Sequence, residues 1–122
     1  MPTDYAPIYA LVREVPKGQV ASYGMIASLL PGVTSRMVGR ALGRMPKSVR
    51  APWHRIVNAG GAIADRPGAE EQRRRLKAEK IAFRKSGKVE WVTHRWEGPS
   101  GRWAAKSQLD PITIMETIAG WR

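Results

Sequence analysis

The decisive stretch runs from residue 22 to residue 46, SYGMIASLLPGVTSRMVGRALGRMP. Ser22 is placed to cap a short helix that continues through Leu30, where Pro31-Gly32 breaks it. Thr34 then supplies the cap for a second helix to about Met45. Two short helices joined by a glycine-containing turn form a helix-turn-helix candidate. On the second helix Val38, Ala41, Leu42 and Met45 make the inward face, while Arg36, Arg40 and Arg44 recur every four residues along another. Ser35, Gly39 and Gly43 form a stripe of small residues beside the arginines. Each glycine costs about 1 kcal/mol relative to alanine inside a helix, so the stripe needs an offsetting gain. Close approach to DNA along a basic face supplies one; tight helix packing beside solvated arginines is the alternative.

Working outward, TDYAPIYALVREVP repeats apolar residues at a helical period from Tyr5 to Val15. Thr3 or Asp4 is its cap, and Pro16 with Gly18 its end. Downstream, WHRIVNAGGAIAD reads as a strand closed by a hairpin-like turn at Asn58-Ala59-Gly60-Gly61. PGAEEQRRRLKAEKIAF reads as a helix with Glu70 and Glu71 in its first turn and bases toward its end, which suits the helix dipole. SGKVEWVTHRW offers a further strand. The tail opens on Gly98 and Pro99 and regains an apolar pattern from Ile112 to Trp121, the mark of a docked helix or of a mobile segment. The expected fold is α/β but mainly α: a winged-helix-like helix-turn-helix with a small hairpin or sheet. We divide it into a DNA-binding domain over residues 1–97 and a C-terminal extension over 98–122.

The charge balance narrows the partner. The formal charge is +11, and the fifty residues between Glu14 and Asp65 hold seven bases and no acid. A polyanion is the direct reading, because each neutralised phosphate releases condensed counterions. Cysteine is absent, which excludes disulfides, thiolate metal sites and a cysteine nucleophile. The two histidines, His54 and His94, stand far apart, with no carboxylates at ligand spacing, so no metal is expected. No apolar run approaches the roughly eighteen residues a membrane span needs, and the N-terminus lacks the pattern of a signal peptide. These features suit a soluble protein of the bacterial cytoplasm, associated with the nucleoid.

The ordered series SYGMIASLL, SRMVGRALGRMP and PWHRIVNAGGAI resembles the DNA-binding domain of the O6-alkylguanine-DNA alkyltransferases, over about Tyr5 to Trp91. In that family a P-C-H-R motif carries the cysteine that accepts the alkyl group. Here Trp53 takes the cysteine's place, so the resemblance is to the alkyltransferase-like members, which bind alkylated guanine without removing the lesion. It implies a helix-turn-helix entering the minor groove, with Ser35, Gly39 and Gly43 permitting close approach. Arg40 and Lys47 then join that surface as neighbouring cations. It matches Arg36 to the arginine that fills the gap left by an extruded base, and Tyr23 to the tyrosine at the flipped nucleotide. Pro52, Trp53, His54, Arg55 and Ile56 would wall the lesion pocket, with Arg66 against the flipped guanine. His54 and Glu79 match the pair that activates the cysteine in the enzymes. Without a thiol they become vestigial, a hydrogen-bonded support rather than catalytic residues. Two positions depart from the pattern: Pro67 removes a backbone N–H near the lesion, and Met45 replaces an asparagine.

The implied activity is that of a non-enzymatic damage sensor. Acting as a monomer and without a cofactor, it would bind double-stranded DNA containing O6-alkylguanine, flip the base and recruit nucleotide excision repair proteins. Two alternatives stay open: an enzyme in which His54 and Glu79 activate water, and a plain helix-turn-helix regulator.

Overall fold

The computed structural model describes residues 4–122. Helix α1 (Ala6–Val12) opens where the Asp4 carboxylate accepts the Ala6 N–H at 2.9 Å; Thr3, the other candidate cap, lies outside the described residues. Strand β1 (Ala21–Ser22) leads into α2 (Tyr23–Ser28), and α3 spans Ser35–Gly43. Both expected caps form: Ser22 Oγ accepts the Met25 N–H at 3.1 Å, and Thr34 Oγ1 accepts the Met37 N–H at 3.2 Å. Each satisfies an otherwise orphaned helix donor, worth about 1 kcal/mol. The helix-turn-helix is therefore built by local chemistry at its two starts and by burial along its inward face. Ile26, Leu29, Val38 and Ala41 meet Ile8, Leu11 and Val12 of α1 in one cluster. The Tyr9 hydroxyl, donating to the Ala41 carbonyl at 2.8 Å, ties α1 to α3.

The hairpin and strand expectations need correction. Residues Trp53–Arg55 form a 3-10 turn starting from Pro52, and only Ile56–Val57 is extended, as β2. That strand pairs with β1 in parallel, Ala21 with Ile56 and Ser22 with Val57. The ladder is two residues long because Tyr23 already belongs to α2. The chain does reverse after Asn58, whose N–H donates to the Ala62 carbonyl at 2.9 Å, but the returning limb forms no strand. Gly61 is buried there at φ +98°, with the Val89 carbonyl 2.9 Å from where a Cβ would stand. Its own carbonyl instead accepts the Val89 N–H at 2.9 Å.

Helix α4 (Ala69–Ala78) follows, its Leu76 buried with Val20, Val57, Ile81 and Val89 in a second cluster. The stretch read as a strand from Ser86 contributes one antiparallel bridge, Phe83 to Val89, and then becomes the short helix α5 (Trp91–His94). Helicity lets His94 face both ways, Nε2 accepting the Ala82 N–H at 3.0 Å and Nδ1 lying 3.1 Å from the Gly18 carbonyl. The tail is docked. Ser100 caps α6 (Gly101–Ser107) and Asp110 caps α7 (Pro111–Ala119). Ile114 enters the first cluster, Trp121 stacks on the buried Trp96 at 5.5 Å, and its indole N–H donates to Ser28 Oγ at 3.0 Å. No helix among the described residues is long and apolar enough to cross a membrane.

Candidate nucleic-acid interface

Helix α3 presents its small residues outward. A Cβ on Gly43 would meet nothing within 4 Å, and one on Gly39 would meet only Tyr23 Cε1 at 3.9 Å. No packing inside the chain therefore calls for glycine at either place, which removes the helix-packing explanation. Arg36, Arg40, Arg44 and Lys47 are exposed and enter no ion pair among the described residues. The result is a helix face of small residues edged by unneutralised cations. Between that face and the turn after β2 lies a concavity of about 540 Å³, lined by Tyr23, Ser35, Arg36, Gly39, Asn58 and Ala64 among others. Arg66, from the loop before α4, donates through Nη2 to the Tyr23 hydroxyl at 3.2 Å. Two residues 43 apart in sequence are thus brought to one place.

Trp53 lines a different hollow. Its indole opens into a second concavity of about 370 Å³, shared with Met45, Val49, Arg50, Pro52 and Arg75. The Arg75 guanidinium lies over the indole, 5.4 Å from its centre, and Glu71 holds Arg75 Nε at 2.8 Å. Arg75 was not anticipated from sequence, and neither was this division of the pocket residues into two hollows. Tyr23 and Arg66 belong with Arg36; Pro52 and Trp53 belong with α4. Ile56 is fully buried beneath them and offers a hollow no side-chain surface.

Behind Trp53 the residues His54, Arg55, Gln72 and Glu79 form a polar network in which His54 Nδ1 and Gln72 Oε1 are left without a partner among the described residues. His54 Nε2 lies 2.8 Å from Glu79 Oε2, and Arg55 donates to both Glu79 oxygens at 2.7–3.2 Å while its Nη1 donates to the Val15 carbonyl at 2.9 Å. Burial pushes the Glu79 carboxyl up, but the hydrogen bonds from Arg55 and His54 and the Arg55 charge outweigh it and hold it at about 2. The carboxylate is therefore ionised at neutral pH, and the Nε2 facing it carries a proton. Gln72, buried on α4, donates to the carbonyls of His54 at 3.2 Å and Ile56 at 2.8 Å and fixes the backbone on either side of Arg55. It went unnoticed in the sequence, although Gln72, Leu76 and Glu79 share one face of α4 at helical spacing.

Chemically, this is an acid–base arrangement with no thiol to activate. An indole carbon or N–H is no nucleophile at neutral pH, and no cysteine exists anywhere in the chain. Alkyl transfer to cysteine is therefore excluded. Among the described residues no cluster of three or more His, Asp or Glu is disposed to hold a metal ion.

Comparison with known proteins agrees with this geometry. Residues 5–81 match the family described as the 6-O-methylguanine DNA methyltransferase DNA-binding domain. A DNA base-flipping protein of Vibrio parahaemolyticus is 36% identical over 93 residues, covering 74% of this chain and 92% of the relative. A methylated-DNA–protein-cysteine methyltransferase of Salmonella typhimurium is 34% identical over 68 residues, 54% of this chain and 39% of that enzyme. The crystal structure of Schizosaccharomyces pombe Atl1 with damaged DNA containing O6-carboxymethylguanine superposes with a TM-score of 0.66 at 31% identity, covering 79% of this chain and 98% of Atl1. The Atl1 match extends over nearly the whole of a protein captured on a lesion, whereas the enzyme match covers a minor part of a protein named for its cysteine. With tryptophan before the His54–Glu79 pair, the chain belongs to the 6-O-methylguanine DNA methyltransferase family, on its alkyltransferase-like branch.

Proposed function

We propose that this chain is a DNA-damage sensor that holds O6-alkylguanine without repairing it. The observation that carries the reading is Trp53, which stands where the supporting His54–Glu79–Arg55 network would serve a nucleophile and offers a flat apolar surface instead. In this reading α3 lies in the minor groove, its approach permitted by Ser35, Gly39 and Gly43, with Arg40 and Lys47 on phosphates. The minor groove reads base order poorly, so selectivity comes from the lesion. A damaged or mispaired base costs less to extrude than a paired one, and Arg36 fills the gap it leaves. The flipped guanine rests by Tyr23 and Arg66, whose guanidinium stacks on the purine and tolerates different substituents. Pro52 and Trp53, which line the other hollow, face the adduct, the backbone that follows them held by Gln72.

The bound complex then marks the site for nucleotide excision repair, the remaining route for a lesion that the chain itself cannot clear. The protein works as a monomer at the nucleoid of a bacterial cell. Residues 1–97 bind DNA and residues 98–122 form an extension docked on them.

Competition between O6-methylguanine and guanine duplexes of one sequence, at one salt concentration, tests the reading. A preference of at least about tenfold for the lesion, with the masses of protein and DNA unchanged afterwards, is expected. Equal affinities point to a helix-turn-helix regulator, and a shortened or dealkylated base points to an enzyme; either result overturns the sensor.

A further inference from the structure

A second set of bases lies on α4 and the turn that follows it. Residues 73–88 carry eight bases and one acid, Glu79. That acid is engaged with Arg55 and His54 beneath Trp53 and does nothing to offset the surface charge. Glu71 clamps Arg74 and Arg75. Lys77, Lys80, Arg84, Lys85 and Lys88 remain exposed and in no ion pair among the described residues.

These cations are held on an ordered scaffold. Phe83 and Val89 form an antiparallel bridge, and the turn between them closes with Arg84 N–H to the Lys88 carbonyl at 2.8 Å and Gly87 N–H to the Arg84 carbonyl at 2.9 Å. Arg73 Nη1 reaches across from α4 to the Gly87 carbonyl at 2.8 Å. The Phe83 ring sits against the Arg73 guanidinium at 5.3 Å and the Lys77 ammonium at 5.7 Å. Helix and turn therefore form one cationic unit. Crowded like charges repel one another and destabilise the compact state, and no carboxylate among the described residues forms an ion pair with these five. A polyanion does, and the polyanion that this family handles is duplex DNA.

We infer that α4 and the 83–89 turn form a second phosphate-binding surface, which takes a stretch of duplex other than the one on α3. The two basic faces rest on different parts of the core, α3 on the first cluster through Val38 and Ala41, α4 on the second through Leu76. The contacted phosphates belong either to the flank of the same duplex or to a second duplex; their chemistry is identical. The inference goes beyond the sensor reading and requires only that the chain bind DNA.

The test uses the full chain and a triple variant, Arg84→Gln, Lys85→Gln, Lys88→Gln, with Lys77→Gln as an independent variant on the helix side. Affinity is measured against salt for duplexes of about twelve and about forty base pairs carrying one O6-methylguanine. If the flank is the ligand, the triple variant loses about tenfold in affinity on the long duplex, and its salt slope falls by roughly two to three, near 0.9 per lost phosphate contact. The short duplex is then bound as by the unmodified protein. If a second duplex is the ligand, the unmodified protein brings two dye-labelled short duplexes into energy transfer and the triple variant does not. In either case Lys77→Gln shifts the same readout in the same direction by a smaller amount. An unchanged slope and affinity at both lengths, with energy transfer unaffected, overturns the inference. So does an equal loss on short and long duplexes without bridging, since it places these cations on the α3 footprint. Failure of the unmodified protein to bind DNA overturns both this inference and the sensor reading, whereas the two results above overturn this inference alone.

Discussion

Replacing Gly39 by alanine separates folding from binding. Gly39 is the fifth of nine residues in α3, and a Cβ there would make one ordinary contact, 3.9 Å from Tyr23 Cε1. Alanine is favoured over glycine in a helix interior by about 0.8–1 kcal/mol. No clash subtracts from that gain, and the unfolded chain loses conformational freedom. The Gly39→Ala protein should accordingly be more stable by about 0.5–1 kcal/mol, raising its melting temperature by roughly 2–5 °C. The same methyl group projects from the face proposed to enter the groove, between Ser35 and Gly43 and beside Arg36 and Arg40. It holds the helix away from the groove floor and lengthens several phosphate contacts at once. A loss of at least about tenfold in DNA affinity, near 1.4 kcal/mol, is expected. Thermal unfolding followed by circular dichroism reads the first effect, and fluorescence anisotropy with a lesion-bearing duplex reads the second. Unchanged DNA affinity in a stabilised Gly39→Ala protein refutes the close-approach argument, and a destabilised protein refutes the claim that glycine has no packing role there.

The remaining predictions address separate parts of the site. Arg36→Ala should abolish the preference for O6-methylguanine over guanine, whereas Lys47→Ala should weaken both duplexes alike; parallel losses in a binding competition contradict the gap-filling role. Glu79→Gln should destabilise the fold at neutral pH. Glu79 is held at about 2 against an ordinary 4.5, which corresponds to roughly 3–4 kcal/mol at most and about 2 kcal/mol after screening is discounted. Because the folded value lies below the unfolded one, that stability is present above about pH 4.5 and lost as pH falls toward 2. Denaturant titrations should therefore show the gap between the two proteins closing through that window; a constant gap contradicts the assignment. Trp53→Cys should transfer little or no methyl to the protein by mass, since Pro67 lacks the N–H that would orient the lesion; efficient transfer would show that His54 and Glu79 are still poised for catalysis. Gly61→Ala, at φ +98° and facing the Val89 carbonyl at 2.9 Å, should cost about 2 kcal/mol or more in stability by thermal unfolding; a neutral substitution contradicts the packing of that turn.

What was legible in the sequence follows physical lines. The helix-turn-helix could be read because its signals are local: a hydroxyl at each N-cap, Pro31-Gly32 between the helices and an apolar stripe on each. A strand could be read within WHRIVNAGGAIAD, but not its length or its partner, because β1 and β2 pair over two residues each, in parallel, from positions 35 apart. The apolar run around Val89 and Trp91 suggested a strand but serves two different neighbours, the Gly61 carbonyl, which accepts the Val89 N–H, and Arg122, whose carbonyl accepts the Trp91 indole N–H at 2.7 Å. Helix α6 was missed since Gly98, Pro99 and Gly101 mask a helix whose cap, Ser100, donates its N–H to Glu14 across the fold at 2.8 Å. In the site, His54, Arg55 and Glu79 are joined by hydrogen bonds with Trp53 edge-on to His54, and Arg66 is joined to Tyr23. Arg75 and Gln72 escaped notice because their importance comes from what α4 is packed against, the turn at Trp53, and not from any local pattern.

The most direct test of the account is a crystal structure of the chain bound to a duplex with a single O6-methylguanine. The account predicts the guanine outside the stack against Tyr23 and Arg66, its substituent directed at Trp53, and Arg36 in the space it left. An alkylguanine still paired and stacked within an undistorted duplex would contradict it.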